Sequence, residues 1–186
     1  MFEVYTKLGF EHILDPKGYD HILFVVALCA VFVLKDWKKV LILVTAFTIG
    51  HSLTLALSSL NILNISASLV ETLIPITIIL TCLYNIVKGR IESEKNSINY
   101  GLALGFGFIH GLGFSNFFKA MMGKGESIVG PLFYFNIGVE LGQIIVVILT
   151  LILSYIVVDL IKVKQKYYNY TLSGIILIWA MIMILT

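Results

Sequence analysis

The sequence predicts an all-α, polytopic membrane helical bundle of about six spans preceded by a short interfacial helix. Three observations predict it. Of the 186 residues, 59% are hydrophobic and only 13% charged, against about 25% charged in a soluble domain. Mean hydropathy is +0.97. Apolar runs of roughly 20 residues, the length that crosses hydrocarbon, recur from end to end. A single transmembrane domain over residues 1–186 is the expectation. The net charge of +2, without a basic helix or RNA-type motif, points to no nucleic acid partner. Cys29 and Cys82 lie inside apolar runs without CxxC spacing and read as small buried side chains. No charged segment leads at once into an apolar stretch, so no cleavable signal peptide is expected.

Residues 1–15 mix Phe2, Val4, Tyr5 and Leu8 with Glu3, Lys7 and Glu11, the composition of an amphipathic helix at the membrane interface. Pro16 and Gly18 end it. A first span is expected over residues 19–34, short for a crossing, closed by Lys35, Asp36, Trp37, Lys38 and Lys39. The second covers 40–60 and the third 68–87, with a polar loop at 88–99. The fourth, 100–118, carries Gly101, Gly105, Gly107, Gly111 and Gly113; the Gly101–Gly105 pair forms a GxxxG that suits close helix packing. A loop follows at 122–126. The fifth span starts near Pro131, a good first-turn residue, and reaches 158, long enough to require tilt or irregularity. Lys162, Lys164 and Lys166 close it, and the sixth span covers 170–186.

Basic residues orient the bundle. Lys35, Lys38, Lys39, Lys88, Arg90, Lys95, Lys162, Lys164 and Lys166 fall on one side, and Lys7, Lys17, Lys119 and Lys124 on the other. The richer side is cytoplasmic by the positive-inside rule, which puts both termini outward.

The functional signal lies in the histidines. Ionisable groups are costly in hydrocarbon and persist where they pair, bind an ion or line a wet path. With the orientation above, His51 falls at mid-depth or slightly outward and His110 mid to outer. Asp20 and His21 open the first span, Glu71 opens the third, and Asn136 and Glu140 fall in the outer half of the fifth. Asn136, Glu140 and Gln143 share one helix face. Three histidines with carboxylates suit zinc, nickel, copper or iron(II), whereas hard ions such as magnesium want oxygen. Rival readings exist for single residues. One membrane histidine can simply hydrogen-bond a neighbour. Asn136 and Gln143 fit inter-helical bonding, Glu71 fits an exposed end charge, and His12 fits a plain interfacial residue. Asp159 fits a lysine pair at the inner surface. His51 and Ser52 are adjacent, so they do not face each other as a nucleophile–base pair.

Several blocks carry a resemblance. His12-Ile13-Leu14 with Gly18-Tyr19-Asp20-His21-Ile22-Leu23-Phe24 resembles the opening of the HupE/UreJ family. So do Phe47-Thr48-Ile49-Gly50-His51-Ser52-Leu53-Thr54-Leu55, Phe108-Ile109-His110-Gly111-Leu112-Gly113-Phe114 and Phe135-Asn136-Ile137-Gly138-Val139-Glu140-Leu141-Gly142-Gln143. The similarity runs from about Gly9 to Gln143. It implies a small polytopic protein of the bacterial inner membrane, found with hydrogenase and urease systems, several of whose relatives are regarded as nickel permeases. The family's histidine–aspartate–histidine opening falls on His12, Asp20 and His21, and its span-four histidine on His110. Seven residues separate His12 from Asp20, where nickel-transporting members have five. Phe114, Ser115 and Asn116 stand where those members carry a histidine and a glutamate. The chain thus resembles the divergent branch of the family.

The expected function is a transition-metal permease for a divalent ion, nickel or zinc. His12, Asp20 and His21 would collect the ion at the outer mouth, His51, His110 and Glu140 would form the inner site, and Glu71 would balance charge. Thr45, Thr81, Tyr84 and Asn85 are the polar candidates for an exit path. The alternative is a zinc-dependent intramembrane hydrolase or acyl transferase with Glu140 or Asp20 as general base. A third is a structural helper in a larger membrane complex. The expected partners are the metal ion and the bilayer, and the span-four glycines suit packing within one copy or between copies of a homo-oligomer.

Overall fold

A computed structural model describes residues 1–89, 97–121 and 127–185, with the side chains of 97 and 98 left aside. Arg90 and Lys95 of the expected polar loop, the loop at 122–126 with Lys124, and Thr186 lie outside the described residues. Within them every regular element is helical: α1 (Phe2–Leu14), α2 (Asp20–Cys29), α3 (Trp37–Ser59), α4 (Ala67–Lys88), α5 (Ser97–Gly113), α6 (Ser115–Met121), α7 (Val129–Ser154) and α8 (Gln165–Leu185).

Four helical segments are long and apolar enough to cross a membrane: Leu34–Ser59, Ala67–Lys88, Val129–Leu160 and Gln165–Leu185. A fifth arises if α5 and α6, bent by 50° at Phe114, count as one span. The expected sixth is not reached by this measure because the first span is broken. α2 stops at Cys29 after 10 residues, and Ala30–Val33 runs on without helix before a 3-10 turn at Leu34–Asp36. Non-helical backbone survives at membrane depth only where protein satisfies its polar groups, and Ala30, Val31, Phe32 and Val33 are all buried. Their surroundings supply the donors. The Asn85 amide donates to Ala27 O (2.7 Å), Gln165 Nε2 to Val31 O (2.7 Å) and the Ser154 hydroxyl to Phe32 O (3.2 Å). Helices α4 and α8 and the end of α7 therefore clamp the broken strand.

The irregular fifth span is also present: α7 continues as a π-helical stretch, Tyr155–Leu160. α4 keeps Pro75 inside it. Its N-cap is Ser66, which accepts from Leu69 N, and Gly89 ends it with φ of 66°, a conformation open to glycine.

Two helix pairs approach through glycine. A side chain at Gly107 or Gly111 would collide with the Phe47 or His51 carbonyl of α3, and one at Gly50 with the Leu104 carbonyl of α5. On α1 and α7, Gly9 lies against the Phe135 carbonyl, Gly138 against the Thr6 carbonyl and Gly142 against Ile13. The Gly101–Gly105 pair singled out by spacing has nothing near it, so the GxxxG that makes the contact is Gly107–Gly111. α1, expected at the interface, has one face locked onto α7 with Tyr5, Gly9 and Ile13 buried.

Candidate metal centre

The two glycine crossings decide where imidazoles sit. Backbone contact between α3 and α5 sets His51, next to Gly50, close to His110, next to Gly111. The α1–α7 crossing carries His12, three residues after Gly9, into the same region. α2 adds Asp20 and His21 from its first turn, where a carboxylate also complements the exposed amides of a helix start. Ring centroids of His12 and His21 are 4.5 Å apart, His12 and His51 5.9 Å, His21 and His51 6.0 Å, and His21 and His110 5.1 Å.

Two donor groups result. His12, His21 and His51 bring ligand atoms within 4.8 Å of one another, and so do Asp20, His21 and His110. Nitrogen donors sit about 2.0–2.1 Å from zinc, so two of them on one ion stand at most about 4.2 Å apart. Small side-chain adjustments close that difference. His21 belongs to both groups.

The hydrogen bonding fits an ion. His51 is fully buried and His110 and His21 nearly so, yet His12 Nε2, His21 Nε2, both nitrogens of His51 and His110 Nδ1 have no hydrogen-bond partner among the described residues. Buried polar atoms without partners are rare and expensive. Asn136 on α7 neighbours His51, but its Oδ1 is also unpartnered. What bonding there is orients the donors. His21 Nδ1 and Asp20 Oδ1 are 3.1 Å apart, and the Thr77 hydroxyl of α4 lies 3.2 Å from His110 Nε2, leaving Nδ1 free. Such outer contacts fix ring orientation in metal sites. Phe24, Phe47, Phe114 and Phe135 pack around the rings and keep the centre dry.

The rest of the sequence-derived set lies elsewhere. Glu140 is not in either group: its Oε1 accepts a 2.6 Å bond from the Thr45 hydroxyl on α3. Gln143 is buried on the same helix and accepts from the Thr48 hydroxyl at 2.7 Å. Glu71 is exposed but shares a surface pocket of about 470 Å³ with Asp20, Lys17 and Tyr19. Asp20, partly exposed, therefore joins that pocket to the buried rings. Thr77 escaped sequence reasoning because a helix threonine bonded to its own backbone gives no signal.

The family described as HupE / UreJ protein matches residues 1–186. The chain belongs to the HupE/UreJ family. No curated protein and no solved structure matches it significantly. Within this HupE/UreJ protein five residues far apart in sequence meet in space. His12, Asp20, His21 and His110 are four of them. His51 is the fifth.

Proposed function

We propose that this HupE/UreJ protein binds a divalent transition metal, nickel or zinc, at His12, Asp20, His21, His51 and His110, and passes it across a bacterial cytoplasmic membrane. The observation that carries this reading is the set of five buried imidazole nitrogens without hydrogen-bond partners on rings from four helices. The family's metal-related character agrees with it. Neutral imidazole is a good donor to these ions. The pocket holding Asp20, Glu71 and Lys17 is the outer mouth. Because His21 lies in both donor groups, an ion held by Asp20, His21 and His110 can be handed to His12, His21 and His51, or the reverse, without leaving nitrogen donors. Glu71 lends negative potential at the mouth, and Glu140 contributes through α3–α7 contact.

The chain is read as one membrane domain of six crossings. α2 with the non-helical segment Ala30–Val33 makes the first. An even number of crossings returns both termini to one side, and the lysine bias makes that side the outside.

One observation favours the alternative of a zinc-dependent intramembrane enzyme. Phe24 packs against both Phe47 and Phe106, and Phe24 and Phe47 lie against His110, an aromatic wall on that side of the centre. Purified protein in liposomes separates the readings. Nickel or zinc accumulating inside, and stopping with His110→Ala, establishes transport. Tight metal retention without flux favours the enzyme. Metal content unchanged by both His21→Ala and His51→Ala refutes both.

A further inference from the structure

Beyond the phenylalanine layer lies a cavity of about 290 Å³, bounded by the end of α2, the non-helical segment that follows, α3, α4 and α5. It is distinct from the metal centre, from which the Phe24–Phe106 contact at 5.7 Å divides it. Leu28, Phe32, Leu43 and Phe106 form its apolar body. Leu80 and Leu102 also line it and are 51% and 37% exposed, so the cavity opens sideways between α4 and α5 to the lipid. Thr81, Tyr84 and Asn85, the residues expected to serve an exit path, line it too. Among the described residues no carboxylate, imidazole or basic group does, so these groups offer a divalent ion no compensation for its lost water.

One polar group in it is unspent. Asn85 is committed to Ala27 O at 2.7 Å. Asn99, at the start of α5, is buried to 7% exposure and lines the cavity, yet neither its Oδ1 nor its Nδ2 has a partner among the described residues. An apolar pocket of this size with one convergent amide is the profile of a ligand site. Its lateral mouth selects ligands that arrive through the bilayer.

We propose that this cavity binds an acyl chain ending in a carbonyl or carboxyl oxygen, the chain filling the apolar body and the oxygen accepting from Asn99 Nδ2. Free fatty acids and phospholipid acyl esters share this chemistry. Occupancy also wedges α4 and α5 on their cytoplasmic halves, directly beneath the Thr77–His110 contact.

Two photoreactive probes test it in nanodiscs holding the full chain: a diazirine-bearing palmitic acid, and a phosphatidylcholine with the same diazirine in one acyl chain. Labelled sites are mapped by peptide mass spectrometry. Labelling of Leu28, Leu43 and Phe106 well above that of the lipid-facing Ile148 and Leu149 is expected, with competition by unlabelled palmitate. Labelling by the fatty acid alone identifies a free acid, and labelling by the phospholipid alone identifies an ester. Asn99→Ala should weaken capture about tenfold, the usual value of one hydrogen bond, and Leu102→Trp should abolish it. Retained metal content certifies that each variant is folded; Leu80→Trp replaces Leu102→Trp if it is not. Cavity labelling no greater than at Ile148 and Leu149, or uncompeted by palmitate, overturns the proposal. Neither result bears on the metal site, because the cavity residues labelled are not metal ligands.

Discussion

His21 is the hinge of the candidate centre, because both donor groups use it. His21→Ala is expected to abolish bound nickel or zinc in purified protein, measured by plasma mass spectrometry. His12→Ala and His110→Ala each leave one group short and should weaken binding without removing it entirely. Equal losses for all three would refute a shared ring. A second expectation concerns Thr77, which touches no ion in this reading but holds His110 Nε2 at 3.2 Å. Thr77→Val should lower metal affinity about 10–100-fold, read by competition with a chromogenic chelator, while leaving one-to-one stoichiometry at saturation. The five clustered residues were legible in the sequence because imidazole and carboxylate inside apolar runs are costly and need a reason. Glu140 and Glu71 carried the same signal yet sit apart from the rings. Their depth along a helix follows from counting residues; the direction each side chain faces depends on how its helix is docked, which counting does not reveal.

Among the elements, the glycine crossings hold His51 and His110 together, and substitutions should sort by what a methyl group would meet. Gly107→Ala and Gly111→Ala push α5 off α3 and should cost about 1–3 kcal/mol, together with metal binding. Gly101→Ala and Gly105→Ala face open space and should be neutral or slightly stabilising, since alanine is the better helix former. Cys29 and Cys82 are free thiols buried in the bundle, so a thiol-reactive fluorophore reports unfolding directly. Both pairs of glycines have four-residue spacing, and spacing alone could not choose between them; only the partner surface of α3 does. The break after Cys29 was likewise hidden. Residues 29–33 contain no proline or glycine, and the groups that stabilise the break come from positions 58 to 134 residues away.

For the whole molecule, metal binding and acidity are opposed. Imidazole must be neutral to donate, so protons compete with the ion. Metal content at fixed free nickel should fall once the solution is acid enough to protonate the rings and return on neutralisation; metal retained by the folded protein at every acidity would argue that the rings are not the donors. Topology is testable with C-terminal fusions. A periplasmic phosphatase joined after residue 185 should be active and a fluorescent protein at the same place dark, if six crossings return the C-terminus to the outside. The bundle itself was readable from hydropathy. The number of crossings turns on the segment around Cys29, where α2 ends after 10 residues and lacks the length by which helical spans are recognised.

The non-helical segment after Cys29 bears on how the chain is made. Val31 leaves the ribosome 134 residues ahead of Gln165, whose amide it needs, and Phe32 precedes Ser154 by 122. During synthesis the opening segment therefore enters the bilayer with carbonyls that have no protein donor. It must wait, sheltered by the insertion machinery or by lipid-held water, until the closing helices are delivered. A nascent chain halted before α8 should be recognised by membrane quality-control proteases, even though every metal-donating residue has already been translated.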